Sequence, residues 1–217
     1  MFPSNNQAAG QSHLTFGAMC FPDLTSLTIG PPIASKKGGV KQCPISLNEK
    51  PLHFILGTVA SPLRVTFEVA PFNSEDSLAR LTLNLEIVDS LQKEFLQLLD
   101  AQILHLVSQN AADLMKKTVT KETLSVMYKQ CLPENGSYEP VLRTKINLEA
   151  PRQVKVWNKD HEITEIPKSW KNMSVAVCVT AKTVWLNSSM LGVTLDATDV
   201  LICENDVQPE CPFAMED

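Results

Sequence analysis

The chain has 217 residues, 44% hydrophobic and 20% charged, enough for one well-buried core but short of two full domains. No stretch reaches the roughly 18 uncharged apolar residues of a membrane span. The opening residues, Met1 to Gln7, lack the basic and apolar blocks of a secretory signal, so the expectation is an intracellular protein with no membrane contact. A net charge of -5 excludes a uniformly basic nucleic-acid binder, because phosphate contacts need a local surplus of Lys and Arg.

The distribution of charge is more informative than its sum. From Glu204 to Asp217 there are five acids and no base, so the rest of the chain carries 19 acids against 19 bases. Between Pro140 and Met190, Arg143, Lys145, Arg152, Lys155, Lys159, Lys168, Lys171 and Lys182 outnumber Glu149, Asp160, Glu162 and Glu165. A locally basic region followed by an acidic tail is the pattern. The six cysteines, Cys20, Cys43, Cys131, Cys178, Cys203 and Cys211, include no Cys-x-x-Cys pair. They read as free thiols, and the sequons at Asn135, Asn172 and Asn187 as chance matches.

Residues 1–50 are rich in Pro, Gly, Ser, Asn and Gln, with breakers at Gly30-Pro31-Pro32 and Lys36 to Gly39. They are expected to be extended and largely irregular, with one short strand within Leu24 to Ile29. From Leu52 the pattern turns to period two, predicting strands over Leu52–Val59, Arg64–Ala70 and Leu81–Val88. Asp89 or Ser90 then offers an N-cap, and Leu91, Phe95, Leu98, Leu99, Ile103, Leu106, Val107 and Leu114 follow at helical spacing to about Lys117. Thr120 caps a shorter helix to about Gln130, so helices occupy about residues 90–130. Strands resume over Val141–Leu148, Gln153–Trp157, Val175–Leu186 with a break at Lys182, and Val193–Ile202. Asn158 to Asp160 reads as a hairpin turn.

Two groups of short strands around a helical insertion predict a mainly β protein, an oligonucleotide-binding-fold-like (OB-like) antiparallel barrel over residues 51–203. A helix-capped sandwich is the alternative. Residues 204–217 form the acidic tail.

No catalytic constellation stands out. His13, His53, His105 and His161 are scattered, with no metal-ligand spacing, and there is no phosphate-binding loop, dinucleotide fingerprint or serine elbow. The expectation is a non-enzymatic protein with no metal and no cofactor. In Val141–Leu148, alternation places Leu142, Thr144, Ile146 and Leu148 on one face and Arg143, Lys145 and Asn147 on the other. In Gln153–Trp157, Val154 and Val156 take the apolar face and leave Lys155 beside Trp157. Cations and rings on one exposed sheet face suit single-stranded nucleic acid, whose phosphates seek cations and whose unpaired bases stack. Trp185, near Lys182, offers a second platform. The plain alternative makes both tryptophans core residues and the cations a solvated face. Trp170 reads as a loop aromatic pinning the chain to the core.

The stretch Tyr138-Glu-Pro-Val-Leu-Arg-Thr-Lys-Ile146 resembles the Tyr-x-Pro-x-Leu-Arg-x-Lys-Ile segment of a family of single-stranded DNA-binding proteins from phages and large eukaryotic DNA viruses. Val154 to Asp160, Val184 to Leu186, Gly192 to Leu195 and Asp199 to Ile202 match in the same order, and the helix pair carrying Asp100 and Tyr128 fits the family's layout. The resemblance spans about Leu91 to Cys203 and not the first 50 residues. It implies a barrel that coats single-stranded DNA in replication, recombination or repair, with RNA as the other candidate ligand. Arg143, Lys145, Lys155, Trp157, Lys159, Lys182 and Trp185 are then the ligand-facing candidates.

The resemblance also implies that the tail, through Glu210, Phe213, Glu216 and Asp217, recruits replication or repair proteins. Phe213 lies four residues before the end, a departure from the usual tail. The implied location is the nucleus or a viral replication compartment, and homo-oligomers are compatible with the reading. A structural or adaptor protein using the same barrel for protein contacts is the competing expectation.

Overall fold

Two long strands near the end of the chain organise the sheet. In this computed structural model, which describes residues 21–34, 39–71, 79–116, 119–133 and 136–203, β11 (Ser174–Leu186) and β12 (Leu191–Ile202) pair antiparallel along their whole length. Their register shifts at Cys178/Val179 and at Ala181/Thr183. The second shift falls at Lys182, where the polar residue interrupts the apolar alternation, and such bulges bend a strand and increase its twist.

Shorter strands line up along the edges of this pair. β3 (Lys41–Leu47), β4 (Leu52–Leu56) and β5 (Leu63–Val65) follow one another along β11. β7 (Tyr128–Lys129), β8 (Val141–Asn147) and β9 (Lys155–Trp157) do the same along β12. β6 (Arg80–Glu86) bridges β5 and β8, so hydrogen-bonded neighbours run β11–β5–β6–β8–β12 and return to β11. β1 (Leu27–Ile29) and β2 (Ile33–Ala34) pair with β3, and β10 (Ile163–Thr164) with β9. The result is a mainly β fold with one large mixed sheet.

Two expectations need correction. The sheet is not purely antiparallel, because β12 runs parallel to β7, β8 and β9. A parallel pair needs a long return connection, and β11, which runs back between β9 and β12, supplies it. Nor is the described part of residues 1–50 irregular, since Leu27, Cys43 and Ile45 are buried in the core and β3 pairs with β11. Pro44 lacks an N–H and argues against a strand by composition, but Cys43 and Ile45 keep the alternation around it.

The helices fall between the strand groups. α1 (Ser90–Gln109) starts at Asp89, whose carboxylate accepts the N–H of Gln92 at 2.9 Å. It buries Phe95, Leu96, Leu99, Ile103 and Val107, a stripe at three- and four-residue spacing. Phe95 stacks on Phe21 at 4.3 Å and meets Phe54 of β4 edge-on at 4.9 Å. The expected single helix to Lys117 divides at Asn110, whose side-chain N–H caps Leu106 O at 2.8 Å, giving α2 (Ala111–Met115). α3 (Lys121–Met127) is capped by Thr120.

Asp100 ties the helices to the sheet. One oxygen accepts the Tyr128 hydroxyl at 2.7 Å and the other the Cys131 backbone N–H at 2.8 Å. Burial pushes the Asp100 carboxyl above the usual range, against the pull of those hydrogen bonds, and burial also pushes the Tyr128 phenol up.

Inside the circuit, Leu83, Leu85, Leu142, Ile146, Val177, Val179 and Val184 are fully buried; each such side chain contributes about 1.5–3 kcal/mol. Trp170 joins this core, its backbone N–H donating to Glu68 Oε1 at 2.8 Å. The predicted strand Arg64–Ala70 is shorter than expected, because the chain leaves the ladder after Val65 and touches β6 again only at Ala70 opposite Thr82. Cys43, Cys131, Cys178 and Cys203 are free thiols, and burial raises the pKa of each.

Candidate functional site

Because side chains alternate along each strand, the residues between the core positions define an outer face. Cross-strand register sets them in rows. One row runs Thr82, Lys145, Asp196, Thr180, His53 across β6, β8, β12, β11 and β4. The next runs Lys155, Asp199, Cys178, Ile55, and beyond it Trp157, Leu201, Ala176. Over the first two rows lies a groove of about 540 Å³. Pro44, Pro51 and His53 form one wall, Asn147, Arg152 and Lys155 the other, and Thr180, Lys182, Asp196, Thr198 and Asp199 the floor.

Three cations thus face two carboxylates, and both carboxylates are engaged. Asp196, 5% exposed, accepts Arg80 at 2.6 Å and Lys182 at 2.9 Å. Asp199 accepts the Trp157 indole N–H at 3.1 Å. The hydroxyl of Thr180 and Nδ1 of His53 share a hydrogen bond of 2.8 Å. Lys155 is exposed on its wall, and its side chain makes no hydrogen bond or ion pair among the described residues. Phosphate oxygens could be met here by Lys155, Arg152 and the outward ends of Lys182 and Arg80, with Thr and Asn side chains between them. Among the described residues no three His, Cys, Asp or Glu converge as metal ligands.

Of the residues singled out by sequence, Lys155 and Lys182 line the groove. Lys182 is also bound to Asp196, because the bulge at this position turns it toward β12. Lys145 lies one strand away with Nζ donating to Thr82 Oγ1 at 2.8 Å, and Arg143 is exposed further along β8. Trp157 sits on the outer face as expected but is half-buried against Ala176, Leu201 and Cys203. Lys159 lies in the turn between β9 and β10, where Asn158 Oδ1 accepts the N–H groups of Asp160 and Glu162, both at 3.0 Å.

Trp185 lies close over Gly192, so close that a Cβ there would stand 2.9 Å from the ring. It does not join Trp157: from Ala176 to Trp185 the strand rises about 30 Å at roughly 3.3 Å per residue. Glu210, Phe213, Glu216 and Asp217 lie outside the described residues.

Sequence reasoning did not bring Arg80, Arg152, His53 or the two floor carboxylates to this groove. Arg80 opens β6 and Arg152 follows β8, places where strand ends blur the alternation. Asp196 is outward by parity from Leu195, and that parity was the available signal.

The fold defines a class, a mixed β-sheet curled around one core with helices inserted midway. Among solved structures it is similar to gp2.5, a single-stranded DNA-binding protein encoded by bacteriophage T7, at 9% identity and a TM-score of 0.51, covering 76% of this chain and 97% of that one. That likeness is one of fold. The single-stranded DNA-binding protein from bacteriophage Enc34 aligns at 11% identity and a TM-score of 0.48 over 87% of this chain and 96% of that one. Its complex with single-stranded DNA aligns at 12% identity and 0.49 over 82% and 97%. No family model matches the chain, and no curated protein matches it in sequence.

Proposed function

We propose that this protein binds single-stranded DNA, without catalysis, along the outer groove of an OB-like barrel. The observation that carries the reading is the groove itself, where Arg152, Lys155 and Lys182 from three separate segments face one channel whose floor carries the Thr180 and Thr198 hydroxyls and the engaged carboxylates of Asp196 and Asp199. Phosphates supply the affinity through such cations, and the shallow, walled shape suits a single strand better than a duplex. The fold it shares with T7 gp2.5 supports the same reading. In it, the protein acts in replication, recombination or repair, in the nucleus or a viral replication compartment. The acidic tail, through Glu210, Phe213, Glu216 and Asp217, recruits replication or repair proteins.

The test is anisotropy of a labelled oligothymidine titrated with the full chain at several salt concentrations. Binding that weakens linearly in log–log form supports the reading, with a slope of roughly -0.7 per phosphate contacted. Absence of binding at low salt overturns it and leaves the barrel as a protein-binding module.

A further inference from the structure

Among the described residues, the most exposed aromatic rings are not the tryptophans. Tyr138 is 78% exposed and Phe67 59%, and the backbone around each is fixed. Val65 stands opposite Leu85 and Ala70 opposite Thr82, so the four residues Thr66 to Val69 face only Leu83 and Asn84. This bulge is anchored on both sides of its tip. Thr66 N–H donates to Asn84 O at 3.1 Å, and Glu68 accepts the Ser169 hydroxyl at 2.7 Å and the Trp170 N–H at 2.8 Å. Bulges re-aim side chains, and this one presents Phe67 to solvent. Tyr138 is held similarly. Its neighbour Glu139 accepts Lys93 Nζ at 2.7 Å, and Pro140 O accepts the Ile87 N–H at 3.0 Å.

The segments that carry the two rings flank the Asn84–Glu86 end of β6, one on the β5 side and one on the β8 side. The outward residues between them include Arg64, opposite Glu86, and Arg143, opposite Asn84. Both arginines are exposed, and Glu86 is the acid between them. This patch is continuous with the groove, since the outward residues of β8 run Arg143, Lys145, Asn147, and Asn147 is part of the groove wall.

We propose that Tyr138 and Phe67, with Arg143 and Arg64, form a second subsite that stacks unpaired bases of a single strand leaving the groove along β8. The inference rests on the proposed function and adds a length dependence to it. A strand confined to the groove does not reach Tyr138, because β8 runs about 20 Å from Asn147 to Val141 at roughly 3.3 Å per residue and Tyr138 precedes Val141.

The experiment compares three- and twenty-nucleotide oligothymidines on the full chain, with Phe67→Ala/Tyr138→Ala, Tyr138→Phe and Lys155→Ala. A lost base stack weakens binding by at least about fivefold. The expected result is that loss on the long oligonucleotide for the double alanine variant, less than about twofold on the short one, and retention with Tyr138→Phe. Lys155→Ala weakens both lengths. If the double variant binds the long strand as the parent does, or loses equally on both lengths, the subsite is overturned while the groove stands. If the unaltered protein binds neither length, the groove reading falls and this one with it.

Discussion

Lys155 and Lys182 look alike in sequence but differ in their surroundings, and replacing each by Ala separates a phosphate contact from a structural ion pair. The Lys155 side chain is exposed and unengaged among the described residues, so in the proposed function Lys155→Ala removes one phosphate contact. The slope of log K against log salt then becomes shallower by about 0.7. Between 50 and 200 mM salt, the parent's advantage over the variant shrinks roughly 2.6-fold at that slope.

Lys182 shares Asp196 with Arg80, at 2.9 and 2.6 Å. Lys182→Ala therefore leaves a buried carboxylate with one cation. Because the lysine is about one-third exposed, screening reduces the penalty to about 1 kcal/mol. The slope changes by less than half the Lys155 effect, and the melting temperature falls. Anisotropy titrations at four salt concentrations and thermal unfolding of the same variants measure both quantities. Equal slope changes with no loss of stability would refute the ion-pair assignment, and no slope change for either would remove the groove as the site.

Other outcomes follow from the packing. Asp100→Ala strands the Tyr128 hydroxyl and the Cys131 N–H, so denaturant unfolding should show a loss of about 2–4 kcal/mol, and a loss below about 0.5 kcal/mol would contradict the tie. The Asp100 carboxyl has a raised pKa in the folded state. Its contribution is therefore fully present below the unfolded pKa and declines as pH rises through the folded one. The pH slope of stability in that window should flatten in Asp100→Asn. Gly192→Ala places a methyl 2.9 Å from Trp185 and 3.2 Å from Lys129 O, costing about 1–3 kcal/mol and shifting tryptophan emission; an unchanged spectrum would contradict the contact. In the native protein Cys43, Cys131, Cys178 and Cys203 should react with a thiol reagent far more slowly than after unfolding, because burial raises their pKa values.

Periodicity made much of this fold legible. The alternation Leu142, Thr144, Ile146 put Arg143 and Lys145 outward, and the caps at Asp89 and Thr120 set the helix starts where the structure has them. What failed were features decided by pairing partners. The strand at Lys41–Leu47 is invisible to composition because it contains Pro44, and it exists through its ladder with β11. The bulge that displays Phe67 depends on Glu68 reaching Ser169 and Trp170, about a hundred residues away in sequence.

The site was readable by type of residue more than by role. Lys155 was placed well because its strand alternates cleanly, whereas Lys182 appeared as an available cation and is held by Asp196. Trp157 and Trp185 drew attention as rings near cations, but the indole N–H of one is bonded to Asp199 and the other is pressed on Gly192. Among the described residues, the exposed rings sit instead in a bulge and a turn, where no period predicts orientation.

The most direct test of the groove is photocrosslinking of an oligodeoxynucleotide carrying 5-iodouracil to the full chain, with the crosslinked peptides located by mass spectrometry. Crosslinks are expected within His53, Asn147 to Trp157 and Thr180 to Asp199, competed by unlabelled single strand far better than by duplex. Crosslinks confined to the helices between Ser90 and Met127, or competed equally by duplex, would contradict the groove as the site.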